Sequence, residues 1–201
     1  MKIVCLDLEG VLVPEIWIEF AEMTGIKELR ATTRDYSDYD ELMKMRLGVL
    51  DQNNLGMNEI QEVISKVEPM PGAKKFLDSI RSKYQLVILS DTYYEFAAPL
   101  MKQLGMPTLF CHQLQIAENG RIEDYLLRLD DHKRKSVEAF KSLNFKTVAA
   151  GDSYNDTSML KVADTGILFR APDNVIAEFP QFETATEYDH LESLIDKALA
   201  D

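Results

Sequence analysis

Three short apolar runs, each stopping at a polar or acidic residue, constrain this chain more than any other feature. Ile3-Val4-Cys5-Leu6 stops at Asp7, Leu86-Val87-Ile88-Leu89 at Ser90-Asp91, and Thr147-Val148-Ala149-Ala150 at Gly151-Asp152. Such runs suit strands buried on both faces. Gly166-Ile167-Leu168-Phe169 and Leu109-Phe110-Cys111 read the same way. Helical periodicity fills 72–83, 94–104, 133–143, 154–163 and a last stretch near 188–199. The alternation predicts an α/β fold whose largely parallel sheet is covered on both faces. Asn119-Gly120 is a hairpin turn signal and predicts a hairpin over 112–127.

Residues 15–67 break the alternation with helical patterns alone. Ile16, Phe20 and Met23 mark one apolar face, with Gly25 as its stop. Leu42, Met45, Val49 and Leu50 mark a second, opened by Ser37 or Asp38 as N-cap. Asn58 opens a third, carrying Ile60, Val63, Ile64 and Val67. This block is too long for one crossover. It predicts a helical cap at 15–69 inserted in an α/β core formed by 1–14 and 70–201. Pro14 and the segment Glu68-Pro69-Met70-Pro71-Gly72 mark the crossings.

Composition removes several classes of function. The chain has 201 residues and a net charge of -12, so no basic surface invites nucleic acid. No apolar stretch approaches the about 20 residues that span a bilayer. The apolar run before Asp7 is too short for a secretory signal, which predicts a cytoplasmic protein. Cys5 and Cys111 sit in apolar runs and read as core residues rather than a disulfide. His112, His132 and His190 show no metal-ligand spacing and receive no role. Trp17, Phe20, Tyr93 and Tyr94 read as core or cap-interface residues. No pattern sets an oligomeric state.

Ligands of open α/β sheets bind at the C-terminal ends of strands. Asp7, Glu9, Asp152 and Asp156 converge on that rim, with Ser90 and Asp91 beside them. Four carboxylates crowded together repel unless a cation joins them, and hard oxygen ligands around a phosphate imply Mg²⁺. A carboxylate there can attack phosphorus and form an aspartyl phosphate. A second can protonate the leaving alcohol and then take a proton from water. Asp7 and Glu9, two apart in extended chain, share a face and suit these roles. Gly10 lets the backbone turn close to the phosphate.

Asp7-Leu8-Glu9-Gly10-Val11, Ser90 after its strand, a later lysine and Gly151-Asp152-Ser153-Tyr154-Asn155-Asp156 resemble the four signatures of haloacid dehalogenase-like phosphatases. The resemblance implies a Rossmann-like core with a helical cap. It implies that Asp7, Asp152 and the carbonyl of Glu9 hold Mg²⁺, steadied by Asp156. Ser90 would bind the phosphate, with Asp91 and Asn155 in the substrate-binding group. Lys133, at a helix start, is chosen as the site lysine ahead of Lys135. Within the family the chain resembles phosphoserine phosphatases, which implies that Glu15 faces the substrate ammonium and Arg46 its carboxylate. Glu9 departs from the family's usual Asp. It matches a bacterial subgroup that also passes the phosphoryl group from phosphoserine to homoserine, and we read Glu9 as tuning that partition.

Other readings compete. One is a phosphatase of the same fold acting on another small phosphate ester. A phosphorylatable receiver domain also uses Asp, Ser/Thr and Lys on an α/β sheet, but lacks the insert and the late Gly-Asp-x-x-x-Asp. A catalytically dead binding module is opposed by the retention of Asp7, Glu9, Lys133 and Asp152. Dinucleotide binding lacks its glycine fingerprint.

Overall fold

The computed structural model describes residues 1–32, 35, 36 and 38–200. Among these, seven strands form one sheet in the order β4-β3-β2-β1-β5-β6-β7. They are β1 (Lys2–Leu6), β2 (Gln85–Tyr93), β3 (Leu109–Ile116), β4 (Ile122–Leu126), β5 (Lys146–Gly151), β6 (Thr165–Phe169) and β7 (Glu183–Ala185). Every neighbour is parallel except the β3–β4 hairpin. The helices are α1 (Ile16–Thr24), α2 (Tyr39–Gln52), α3 (Met57–Ile64), α4 (Ala73–Lys83), α5 (Tyr94–Gln103), α6 (His132–Ser142), α7 (Thr157–Val162), α8 (Asp173–Glu178) and α9 (Tyr188–Ala198).

The apolar β1 lies at the sheet centre, with Val4, Cys5 and Leu6 fully buried. The chain leaves it toward β2 on one side and is later joined by β5 on the other. Such a reversal of strand order opens a crevice at the carboxyl ends of the strands, which is where β1, β2 and β5 deliver their polar residues. One apolar layer packs α4 and α9 on the sheet and continues into α1 and α3. The other packs β1, β2 and β5 against α6 and α7.

The structure corrects several boundaries. β2 does not end at Leu89 but runs through Ser90 and Asp91 to Tyr93, and its register against β3 shifts between Leu89 and Tyr93. β3 is continuous, so its first half extends the parallel sheet and its second half forms the hairpin. A 3₁₀ turn at Tyr154–Asp156 precedes α7. Met23 is exposed, and Ala21 takes its place on the buried face of α1. On α2 the buried stripe is Leu42, Met43, Arg46 and Leu50, so Met45 and Val49 lie to one side. Asp38 caps α2 by accepting from Asp40 N–H at 2.8 Å; Ser37 lies outside the described residues. α3 begins at Met57, and Gly56 stands at its N-cap.

Ile80 is fully buried where α4 meets the sheet. Ile80→Ala removes apolar contact and leaves a cavity, so it is expected to lower stability by about 2–5 kcal/mol, measured by urea unfolding.

Candidate active site

The chain turns immediately after β1. Leu12 and Val13 N–H both donate to Leu8 O, and Gly10 N–H donates to Val13 O at 2.8 Å. Gly10 takes φ +72°, and a Cβ there would overlap the Asp152 carboxylate. Gly151 is equally confined, since its Cβ would overlap the Asp156 side chain. Both glycines therefore clear space for acids. Tyr188 from α9 secures the turn by donating its hydroxyl to Val11 O at 2.6 Å.

Asp7 is 4% exposed. Its Oδ1 accepts from Leu8 N–H at 2.8 Å and from Lys133 Nζ at 2.9 Å, so the carboxylate is held in one orientation. Lys133, itself 3% exposed, also donates to Asp156 Oδ1 at 2.8 Å. Asp156 Oδ2 accepts from the N–H groups of Asp152 and Ser153 at 3.0 and 3.2 Å. Of the two lysines weighed from the sequence, Lys133 is the one that reaches Asp7.

Electrostatics describe a site with surplus negative charge. Burial, followed by the charges of Asp156 and Asp152, pushes Asp7 well above the usual carboxylate range, against the pull of Lys133. Burial and then Asp156 push Asp152 up to about 7. Burial works against the charge on Lys133, but Asp156, Asp7 and Asp91 outweigh it and hold its pKa well above the usual value. Carboxylate oxygens of Asp7, Asp152 and Asp156 lie within 4.8 Å of one another. One lysine beside three clustered acids leaves charge to be matched, and this all-oxygen donor set fits a hard divalent cation.

Glu9 Oε1 accepts from Ile16 N–H at 2.7 Å, tying the second carboxylate to the first turn of α1. Burial, then the charge of Glu15, pushes its pKa up to about 7, a value suited to donating and accepting a proton near neutrality. Glu15 is exposed at the start of α1, yet its charge is felt by Glu9 and Asp152. Ser90 is 1% exposed. Asp91 Oδ2 accepts from Asn155 Nδ2 at 2.8 Å and lies 3.3 Å from Lys133 Nζ.

Arg46 is buried although charged. Its guanidinium stacks 4.4 Å from the Trp17 ring centroid, and Nη2 donates to Ala31 O at 2.8 Å. Its Nε has no hydrogen-bond partner among the described residues. A buried donor without an acceptor is costly, so this atom is suited to a ligand oxygen. Sequence reasoning missed the histidines: His112 and His132 face each other across 4.7 Å, beside Asp91. It also missed the hydroxyl pair Tyr39–Tyr93, 2.7 Å apart, which bridges α2 and the end of β2. These partners are distant in the chain, and no local pattern announces them.

This geometry places a buried Asp, a buried Lys and a cluster of acids together at the strand ends of an α/β sheet. The family model for haloacid dehalogenase-like hydrolases matches residues 1–164, and the chain belongs to that family. It is 60% identical over 198 residues to "Phosphoserine phosphatase" of Pseudomonas syringae pv. tomato, covering 98% of this chain and 84% of the relative. It is 59% identical to "Phosphoserine phosphatase ThrH" of Pseudomonas aeruginosa, covering 98% and 97%. Among solved structures, "Phospho-Aspartyl Intermediate Analogue of Phosphoserine phosphatase" superposes with a TM-score of 0.76 at 20% identity, covering 96% of this chain and 98% of that one. At that identity the likeness is one of fold.

Lys133→Met leaves Asp7 buried without its counter-charge, which costs about 3–5 kcal/mol for a broken buried pair. Because the folded-state pKa of Asp7 is raised, the folded state binds the extra proton, and stability falls as pH rises above the ordinary carboxylate range. Removing Lys133 steepens that fall. The Tm deficit of Lys133→Met, measured without divalent metal, is expected to be larger at about pH 8 than at about pH 5; equal deficits would refute the ion-pair account.

Proposed function

We propose that this protein is a Mg²⁺-dependent phosphoserine phosphatase that works through an aspartyl phosphate on Asp7. The observation that carries the reading is Asp7 held by Lys133 beside the Asp152–Asp156 acids. The names of the two Pseudomonas relatives support the substrate. Asp7, Asp152 and the Glu9 carbonyl would hold the ion, with Asp156 steadying them. When bound, Mg²⁺ supplies positive charge that offsets the phosphoryl oxygens and the nucleophile.

The residues divide the work. Lys133 and Ser90 bind the phosphate, and Lys133 keeps Asp7 oriented for in-line attack on phosphorus. As the P–O bond to serine breaks, Glu9 gives its proton to the leaving oxygen. Glu9 then takes a proton from water, whose oxygen attacks the phosphorus of aspartyl phosphate and releases phosphate and Asp7. Residues 15–69 act as the cap. Glu15 meets the ammonium, and Arg46, its guanidinium stacked on Trp17 and its Nε without a partner among the described residues, meets the carboxylate. The free, buried thiols of Cys5 and Cys111 agree with a cytoplasmic setting.

Phosphate release from L-phosphoserine is expected to require Mg²⁺ and to vanish in Asp7→Asn. Arg46→Ala is expected to raise KM for phosphoserine by about 10-fold or more while sparing an aryl phosphate that lacks a carboxylate. Absence of phosphoserine turnover by the wild type would remove the assignments of Glu15 and Arg46.

The same phosphoenzyme can give its phosphoryl group to homoserine, which carries the ammonium and carboxylate that Glu15 and Arg46 would hold. Glu9, one methylene longer than Asp and anchored on Ile16 N–H, sets where the acceptor oxygen sits. With homoserine present, Glu9→Asp is expected to change the ratio of phosphohomoserine to phosphate. An unchanged ratio would sink the role of Glu9 in this partition.

A further inference from the structure

Asp91 is surrounded by protein donors. Asn155 Nδ2 and Lys133 Nζ approach Oδ2 at 2.8 and 3.3 Å. His132 Nε2 and His112 Nε2 approach Oδ1 at 3.1 and 3.6 Å. The histidines are 2% and 4% exposed, and their rings meet edge to face. They come from different elements, β3 and the first residue of α6, and converge on a carboxylate of β2.

We propose that His112 and His132 are positioning residues that fix Asp91, and that Asp91 in turn aims Lys133 and Asn155 into the site. The proposal deepens the phosphatase reading and rests on it. With four donors around it, Asp91 acts as an internal anchor, not as a group that binds substrate. Lys133 Nζ lies within 3.3 Å of carboxylate oxygens of Asp7, Asp156 and Asp91 at once, which restricts its ammonium to one place.

A His–His–Asp trio is also a set of metal ligands, and these ligand atoms lie within 4.8 Å of one another. Hydrogen bonding argues for the anchor instead. Arg128 N–H donates to His112 Nδ1 at 3.1 Å, so that nitrogen is the acceptor and the ring proton sits on Nε2, facing Asp91. A metal on Nε2 would require the proton on Nδ1, pointing at the Arg128 donor. His132 Nδ1 is buried with no partner among the described residues. Placing the ring proton on Nε2 there too leaves only a lone pair unmatched.

Two measurements on the full-length protein separate this proposal from the phosphatase reading. First, ¹⁵N NMR of the imidazoles needs no activity. The expected result is His112 as the Nε2–H tautomer, with no change on adding Zn²⁺. An Nδ1–H tautomer, or a Zn²⁺-dependent shift of both histidines, would overturn the anchor in favour of a metal site. Second, Mg²⁺-dependent turnover is compared across variants, with phosphoserine or, should the wild type reject it, an aryl phosphate. His132→Leu is expected to lower kcat by about 10- to 100-fold with KM little changed. His132→Gln, whose amide can place an N–H near Nε2, is expected to recover most of the loss. Equal losses in both variants, no loss in either, or a rise in KM with kcat intact would refute positioning through Asp91. If neither compound is turned over, the phosphatase reading fails, while the tautomer result still decides the anchor.

Discussion

The buried ammonium of Lys133 organises the strand-end rim of this molecule. Lys133 lies between Asp7 at the end of β1 and Asp156 beyond β5, so one ammonium joins the start of α6 to two strand ends. Desolvating such charges costs several kcal/mol per ion, recovered only when geometry and additional hydrogen bonds are good. Here they are supplied: Leu8 N–H completes Asp7, and two backbone N–H groups complete Asp156. The chain's net charge of -12 offers no long-range attraction for a phosphate. A phosphate site here must therefore find its positive charge locally, and this lysine is one source of it.

The helical insert is held around that centre by specific contacts. Glu9 accepts from the first turn of α1, Tyr39 of α2 meets Tyr93 of β2, and Tyr125 of β4 donates to Asp40. The hairpin tip also engages it, through Gly120 O accepting from Met57 N–H and the ion pair of Arg121 with Asp51. Burial of Arg46 is tolerable because Trp17 shields one face and Ala31 O accepts from one end. Among the described residues Nε remains unmatched, and it is the atom our functional reading gives to a carboxylate.

Much of the fold was legible because buried parallel strands are short, apolar and sharply ended. Those endings also marked the acids that the structure gathers, since an acid directly after an apolar run stands at the rim of a sheet. The misses have equally local causes. β7 has three residues, of which only Ala185 is buried, and α8 has six; neither carries a measurable period. Ser90 and Asp91 were placed beyond their strand because polarity marks the end of burial rather than the end of backbone pairing. On α2 the buried Arg46 sits where periodicity predicts an apolar side chain, so the stripe was read one step off.

Local sequence encodes the sheet's alternation, the helical insert, and the types and order of residues that reach the strand ends. Apolar period and strand-terminal acids are properties of neighbouring residues, and these need no knowledge of the distant chain. Only the tertiary structure decided that Lys133 rather than Lys135 reaches Asp7. It alone brought His112 and His132 from 20 positions apart onto Asp91 and left Arg46 Nε without a partner among the described residues. Those facts depend on how α6, β2, β3 and the insert pack, and packing brings together side chains that no local pattern connects.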